Sequence, residues 1–454
     1  MNRFYLLLSG EGEQRLCEAI PDQACREVPR NTSLNILNGA CTKLAEQLAS
    51  PGLVLTWLFG FLGAPPVMAG WLEPVKQTAS LLPQLSAAAW IRRLPRRKWA
   101  WVAAGTSQGI LLFLMIPVIL LLTGTAAAAL VLVLLALFSM ASGLGSVAFQ
   151  DVAAKTIAKK RRGRLLGRRA LFGGILTIGA GIALRYRVGE NAGVELYAIL
   201  IACAGILWIA GAGFFALIRE APGATEGGRN AFSELQRGRE FVRRDETYRH
   251  YLRVRILLLF GVELALPFYT LHAVHYAGQG GSRLGIFILT SGLAAALSST
   301  FWGRFADRSS MTVMAIGSLL GFAAAGSALG FTLLPEAFQS PWLYAPVFFL
   351  AGLSLGGVRT GRKTYLIDGA PDTERATYVA FANTLMGVVT ISGGLLGFVG
   401  QWLGPDAQVG LIGVFALAGT FAARALKPPE TMGESSDVRS AIMADNPDSP
   451  GDFE

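Results

Sequence analysis

Five residues, Ser86, Trp90, Arg92, Arg96 and Gly105, return 212 positions later as Ser298, Trp302, Arg304, Arg308 and Gly317. Both copies lie between two long apolar runs, so the chain is two versions of one larger unit. Hydrophobic residues make up 52% of the sequence and charged residues only 15%, against about 25% charged in a soluble domain. Lipid is therefore the solvent for most of this chain. Inside lipid every backbone polar group needs an internal partner, which leaves helices as the natural spanning element for such long runs. The 54 glycines suit helices that pack backbone to backbone.

Apolar segments of spanning length fall at about residues 33–63, 66–91, 99–122, 126–157, 165–184 and 194–218 in the first half. The second half gives about 252–274, 284–302, 312–333, 342–367, 377–400 and 409–426. That makes twelve, in two sixes. The first pair is separated by Ala64-Pro65-Pro66, where paired prolines break a helix into a hairpin.

Charge then sets orientation. Arg92, Arg93, Arg96, Arg97 and Lys98 crowd the connection between segments two and three. Lys159 to Arg162, Arg164, Arg168 and Arg169 crowd that between four and five, and Arg237, Arg239, Arg243, Arg244 and Arg249 the central linker. The opposite connections hold little beyond Arg185, Arg187 and Arg283. The positive-inside rule places both termini in the cytoplasm of a multi-pass protein of the plasma (inner) membrane. The expected division is a cytoplasmic segment 1–32, a bundle 33–218, a linker 219–250, a second bundle 251–426 and a disordered tail 427–454. In the linker, Phe232, Leu235, Phe241 and Tyr248 are spaced for a short amphipathic helix lying on the cytoplasmic face.

The net charge of +10 belongs to these connections and forms no nucleic-acid stripe. The four cysteines have no paired spacing and no nearby histidine, which argues against metal or redox chemistry. His272 and His275 share a helix face without further donors, so packing or a hydrated vestibule explains them better than a metal. No cleavable leader is expected from the opening residues. Neither a nucleotide-binding G-x-x-x-x-G-K-[ST] nor a hydrolase signature is present, so an ATP-driven pump and an enzyme are both disfavoured.

Between segments eight and nine stands Gly303-Arg304-Phe305-Ala306-Asp307-Arg308. It is similar to the cytoplasmic-loop signature of the major facilitator superfamily, with Ser310 in place of a glycine and Met311 and Thr312 in place of bases. The first-half copy keeps Arg92 and Arg96 but has Ile91 and Pro95 at the glycine and aspartate positions. The resemblance implies an all-α membrane fold, twelve transmembrane helices in two six-helix bundles related by a pseudo-two-fold repeat. It implies a secondary transporter working by alternating access. The drug–proton antiporters of that superfamily show Gly-Pro in the fifth helix, which is missing here.

Asp307 is expected to latch the cytoplasmic side against the start of segment five, near Arg168, by meeting a helix N-terminus or an arginine. Gly303, Arg308, Arg92 and Arg96 complete that gate; a solvated loop charge is the plainer reading.

Intramembrane acids mark pathways or partners. Glu46 and Glu263 occupy equivalent segments, each shortly before a proline, Pro51 and Pro267, that bends the helix and exposes carbonyls. Each is either a proton-coupling group or a structural ion-pair member. Lys43 is a turn from Glu46, and Lys76 stands likewise to Glu73, whereas Glu263 has no local cation in sequence. Tyr269 is a candidate cavity hydrogen-bonder. Arg359 is the deepest base of segment ten, either lining the path of an anionic solute or snorkelling; Arg362 and Lys363 read as snorkelling. Asp151 and Lys155 are expected to pair. The functional expectation is a monomeric, proton-coupled carrier of a small solute, without cofactor, metal or nucleic-acid partner. The alternative is a transporter-like receptor or assembly factor without turnover.

Overall fold

The computed structural model describes residues 22–157, 162–189, 192–222, 231–306, 308–371 and 374–433, and these form twelve spans. Span one joins helix Asp22–Leu48, a wide turn Pro51–Leu55 and helix Thr56–Phe61. Span two joins Pro66–Gly70 to Leu72–Arg92, and spans three to six are Lys98–Leu121, Gly124–Thr156, Arg162–Arg187 and Val194–Ala216. After the linker helix Ala231–Arg244, span seven joins Glu246–Leu258, a second wide turn Leu259–Glu263 and Leu266–Ala277. Spans eight to ten are Gly281–Ala306, Ser310–Thr332 and Pro341–Gly369; span eleven runs from Arg375–Ser392 into Leu396–Leu403, and span twelve is Pro405–Arg424. Ten of these spans are long and apolar enough to cross a membrane. Helices Asp22–Leu48 of span one and Leu72–Arg92 of span two are long enough but too polar to meet that measure.

The bends expected at the prolines are present, and their form is specific. Proline 51 has no N–H to give, so the backbone widens until Leu55 N–H reaches Ser50 O at 2.9 Å. Thr56 Oγ1 donates to the Pro51 carbonyl at 2.7 Å, satisfying another group the turn frees. Span seven repeats the device, with Leu264 N–H on Leu259 O at 3.0 Å. Glu46 precedes the first turn, and Glu263 closes the second.

Small residues decide how the two halves meet. Spans five and eight, and spans two and eleven, pack across the boundary. A Cβ on Gly181 would sit 2.7 Å from the Leu289 Cα, and one on Gly70 would sit 2.9 Å from the Gly397 Cα. Gly174 stands likewise against Ala296. These glycines are in contact with backbone, so no side chain fits. Large apolar residues such as Leu121, Ile199 and Phe421 are exposed on the outer surface, where lipid covers them.

The side carrying the termini is tied by two acidic anchors that the sequence reading did not single out. Glu220, after span six, buries its carboxylate and accepts from the Arg97 and Lys98 N–H groups at 3.1 and 2.8 Å. Lys155 adds an ion pair at 3.0 Å. A carboxylate at the start of span three also meets the positive end of that helix. Asp151 pairs instead with Arg97 at 2.9 Å, which corrects the expected Asp151–Lys155 pair.

In the second half Asp245 does the equivalent work. It caps span seven through Tyr248 N–H at 2.9 Å, accepts from Tyr378 Oη at 3.0 Å, and holds Gly433 N–H at 2.8 Å. One expectation changes here. Residues 427–433 are ordered, not part of a disordered tail, because Met432 is buried and Tyr365 Oη donates to Lys427 O at 2.8 Å. The expected linker helix is present and packs on span eleven: Phe241 stacks on Tyr378 with centroids 4.7 Å apart, and Gly238 faces Phe381. Tyr248 belongs to span seven, and the helix of span one begins at Asp22, ahead of the expected boundary. The Asp245→Ala variant should lose about 2 kcal/mol of local stability, read as roughly 30-fold faster proteolysis within 427–433. Unchanged cleavage would mean that Met432 alone holds the segment in place.

Candidate functional site

Helical spacing builds the site. On span one Lys43, Glu46, Gln47 and Ser50 share a face, and on span two Glu73 and Lys76 do. With Val262 and Leu266 of span seven, Phe348, Leu355 and Arg359 of span ten, and Gly173, Gly174 and Thr177 of span five, they line a cavity of about 360 Å³ between the halves. A second cavity of about 370 Å³ adjoins it. Gln77, Ser80 and Leu81 of span two, Ser146 of span four, Arg255, Leu259 and Glu263 of span seven, Arg362 and Lys363 of span ten, and Asn383 and Met386 of span eleven line it. Arg359 belongs to both walls.

Both cavities lie between mid-depth and the side carrying the termini. On the opposite side the halves touch. Thr270 Oγ1 donates to Gly52 O at 2.7 Å, Gly394 packs under Trp71, and Arg185 Nη1 reaches Ser282 Oγ at 2.6 Å. A third cavity of about 220 Å³, with Gly60, Pro66, His275 and Gln279 in its wall, sits on that closed side.

Of the expected pathway residues, four are gathered and one is not. Glu46 and Lys43 form an ion pair of 2.7 Å, each almost half exposed to the first cavity. Glu73 sits 3.7 Å from Lys76. Glu263 is nearly sealed, its side chain 3% exposed, and lies 3.2 Å from Arg362 Nε. This corrects two readings: Glu263 does have a cation, supplied by span ten, and Arg362 turns into the protein and does not snorkel. Lys363 likewise faces the second cavity. Tyr269 is buried away from both cavities and donates to Gly321 O at 3.2 Å, so it packs spans seven and nine together.

The expected gate residues lie at the edge of the terminal side. Gly303, Arg308 and Arg96 are exposed, and nothing lies within 4 Å of a Cβ built on Gly303. Arg168 is half-buried at the start of span five. Asp307 and the Arg92 side chain lie outside the described residues, as do Lys159, Lys160 and Arg161.

Sequence reasoning missed Arg255, Gln77 and Arg169 as contributors. Arg255 stands two turns before Glu263, at i, i+4, i+8 with Leu259, and that spacing was the available signal. Its Nη2 donates to Asn383 Oδ1 at 3.0 Å. Arg169 is buried, donates to Asn35 O at 2.9 Å, lies over the Phe149 ring at 4.4 Å, and packs its stem directly on Gly39. It fastens span five to span one. His272 is buried between Asp406 and Tyr344, at 3.1 and 3.0 Å, so it joins spans seven, ten and twelve. Among the described residues no group of histidine, cysteine or acidic side chains has the makings of a metal site.

Residues 251–443 match the model of the Major Facilitator Superfamily. An uncharacterized protein of Mycobacterium tuberculosis is 24% identical over 303 residues, which is 66% of this chain and 58% of that relative's length. A gentisate transporter of Corynebacterium glutamicum is 29% identical over 127 residues, 28% of this chain and 27% of its own. Among solved structures, a D-xylose–proton symporter superposes with a TM-score of 0.67 at 13% identity, covering 89% of this chain and 98% of that one. At such identity the likeness speaks for the fold.

Proposed function

We propose that the chain is a secondary active transporter of the Major Facilitator Superfamily, a reading supported by the match of residues 251–443 to that family's model and by the twelve-span fold. It moves a small solute by alternating access, with proton coupling, as a monomer whose termini and bundles divide as the sequence suggests. Its basic connections support a cytoplasmic terminal side, and the membrane we assign is the plasma membrane. The observation that carries this reading is the pair of joined cavities between the halves, near the termini, with the opposite side closed by small-residue contacts. Rocking the halves about spans two, five, eight and eleven would open the closed side and shut the other.

Glu263 is the proposed coupling acid. It is the most enclosed carboxylate of the site and sits on a wide helical turn. Four bases, Arg255, Arg359, Arg362 and Lys363, line the same cavity. Moving the halves would alter its distance from the groups of spans two and four that line the same cavity. Glu46, already neutralised by Lys43, is the secondary candidate. Asp307 with Gly303, Arg308, Arg92, Arg96 and Arg168 remains the proposed gate on the terminal side.

Gentisate and D-xylose, solutes of two proteins that this one resembles, are the first probes. In proteoliposomes with an imposed pH gradient, wild-type protein should accumulate its solute. The Glu263→Gln variant should lose accumulation at least about tenfold while still exchanging labelled for unlabelled solute. Gradient-driven uptake that survives in the variant would remove Glu263 from coupling.

A further inference from the structure

We propose that the solute is a small organic anion, and that its acid group is held in the second cavity by Arg255, Arg362 and Lys363. This rests on the carrier reading and adds the chemical class of the cargo. Four bases face one acid in that cavity, an excess of three positive charges at membrane depth. Such an excess, set between helices at membrane depth, calls for a counter-anion.

Hydrogen bonding gives an independent reason. Arg255 is 5% exposed, and among the described residues neither its Nε nor the buried Gln77 Nε2 has an acceptor; the buried Arg362 Nε faces Glu263 Oε1 at 3.2 Å without the geometry of a hydrogen bond. All three belong to residues of this one wall. Buried donors left without acceptors are rare in native proteins, and three around a single hollow describe a place for acceptor oxygens. Guanidinium groups suit a carboxylate or phosphate, whose paired oxygens accept from two N–H groups at once. Bulk water would satisfy the donors but leave the charge uncompensated. A cation would be repelled, and an uncharged sugar would do nothing for the positive excess.

The adjoining cavity describes the rest of the molecule. Lys43 with Glu46 and Lys76 with Glu73 cancel within themselves. Val262, Leu266, Phe348, Ala351 and Leu355 offer apolar wall. Arg359 marks the passage between the two spaces. The cargo therefore has a charged head for the second cavity and a compact, partly apolar body for the first. Glu263, 3.2 Å from Arg362, is the resident anion that an arriving head displaces.

Binding to the purified full-length protein in phosphatidylcholine nanodiscs tests this without requiring transport. Benzoate, succinate and glucose 6-phosphate are compared with benzamide, succinamide and glucose at matched ionic strength, with inorganic phosphate as a further arm. At least one organic anion should raise the melting temperature by about 3 °C, its uncharged counterpart should not, and phosphate should do less. The rise should vanish in Arg255→Gln and in the double variant Glu263→Gln/Arg362→Gln, which removes a pair of opposite charges and so strands neither. The anion site is overturned if no organic anion shifts the melt, if the uncharged partner or phosphate matches it, or if the shift survives both variants. Exchange of an uncharged solute in proteoliposomes, alongside such a result, would leave the carrier reading standing and remove only the anion.

Discussion

Replacing Arg362 with Gln should nearly abolish transport and cost about 3 kcal/mol of stability. The side chain of Glu263 is 3% exposed, so removing its partner leaves a carboxylate in a low-dielectric place with no other base of the described residues at salt-bridge distance. The figure belongs to the lower end of the range for broken buried pairs because Arg255 and Lys363 still line the cavity. The reverse change is milder: without Glu263, Arg362, at 17% exposure, still reaches cavity water. Restoring neutrality with Glu263→Gln/Arg362→Gln should recover most of the stability and none of the transport. Thermal melts and solute exchange on the same nanodisc and proteoliposome preparations separate the two effects. A single variant as stable as wild type would mean that another base takes over the acid.

Gly181→Ala should destabilise by about 2 kcal/mol and reduce transport at least about tenfold. One methyl group there would lie 2.7 Å from the Leu289 Cα, and backbone cannot move aside as a flexible side chain does. The wedge would fall on the contact between spans five and eight, where the two halves turn against each other. Two residues earlier, Gly179 has nothing within 4 Å. Gly179→Ala should therefore be neutral or stabilise by about 0.5–1 kcal/mol through helix propensity alone. Opposite signs at two glycines of one helix would be difficult to explain by anything except the inter-half contact. Equal effects would show that the spans sit farther apart in the bilayer than here.

Much of the architecture is legible in the order of residues, because lipid imposes a strong and simple rule. Apolar length, proline punctuation and the recurrence of Trp90 as Trp302 suffice for twelve spans in two sixes. The wide turns of spans one and seven follow from Pro51 and Pro267. Partners across helices are another matter. Nothing near Glu263 in sequence points to Arg362, 99 positions away, and only folding brings span ten beside span seven. Asp151 failed for the same reason: a base one turn away, Lys155, looked sufficient, yet Arg97 and Glu220 offered each a better partner. The segment after span twelve misled by composition. Two prolines and a glutamate look like tail, but Asp245 and a pocket for Met432 outweigh local propensity.

The wide turns carry a consequence for register. A turn that takes in one extra residue advances the remaining helix by about 100° relative to a regular wheel. Arg255 aims at the interior from below the slip in span seven, Leu259 and Glu263 from its two ends, while Thr270 meets Gly52 from above it. Deleting one residue inside that turn would restore a regular wheel and swing the upper portion away from span one, with the lower portion untouched. The seal on the far side of the membrane thus depends on a count of residues as well as on their kind.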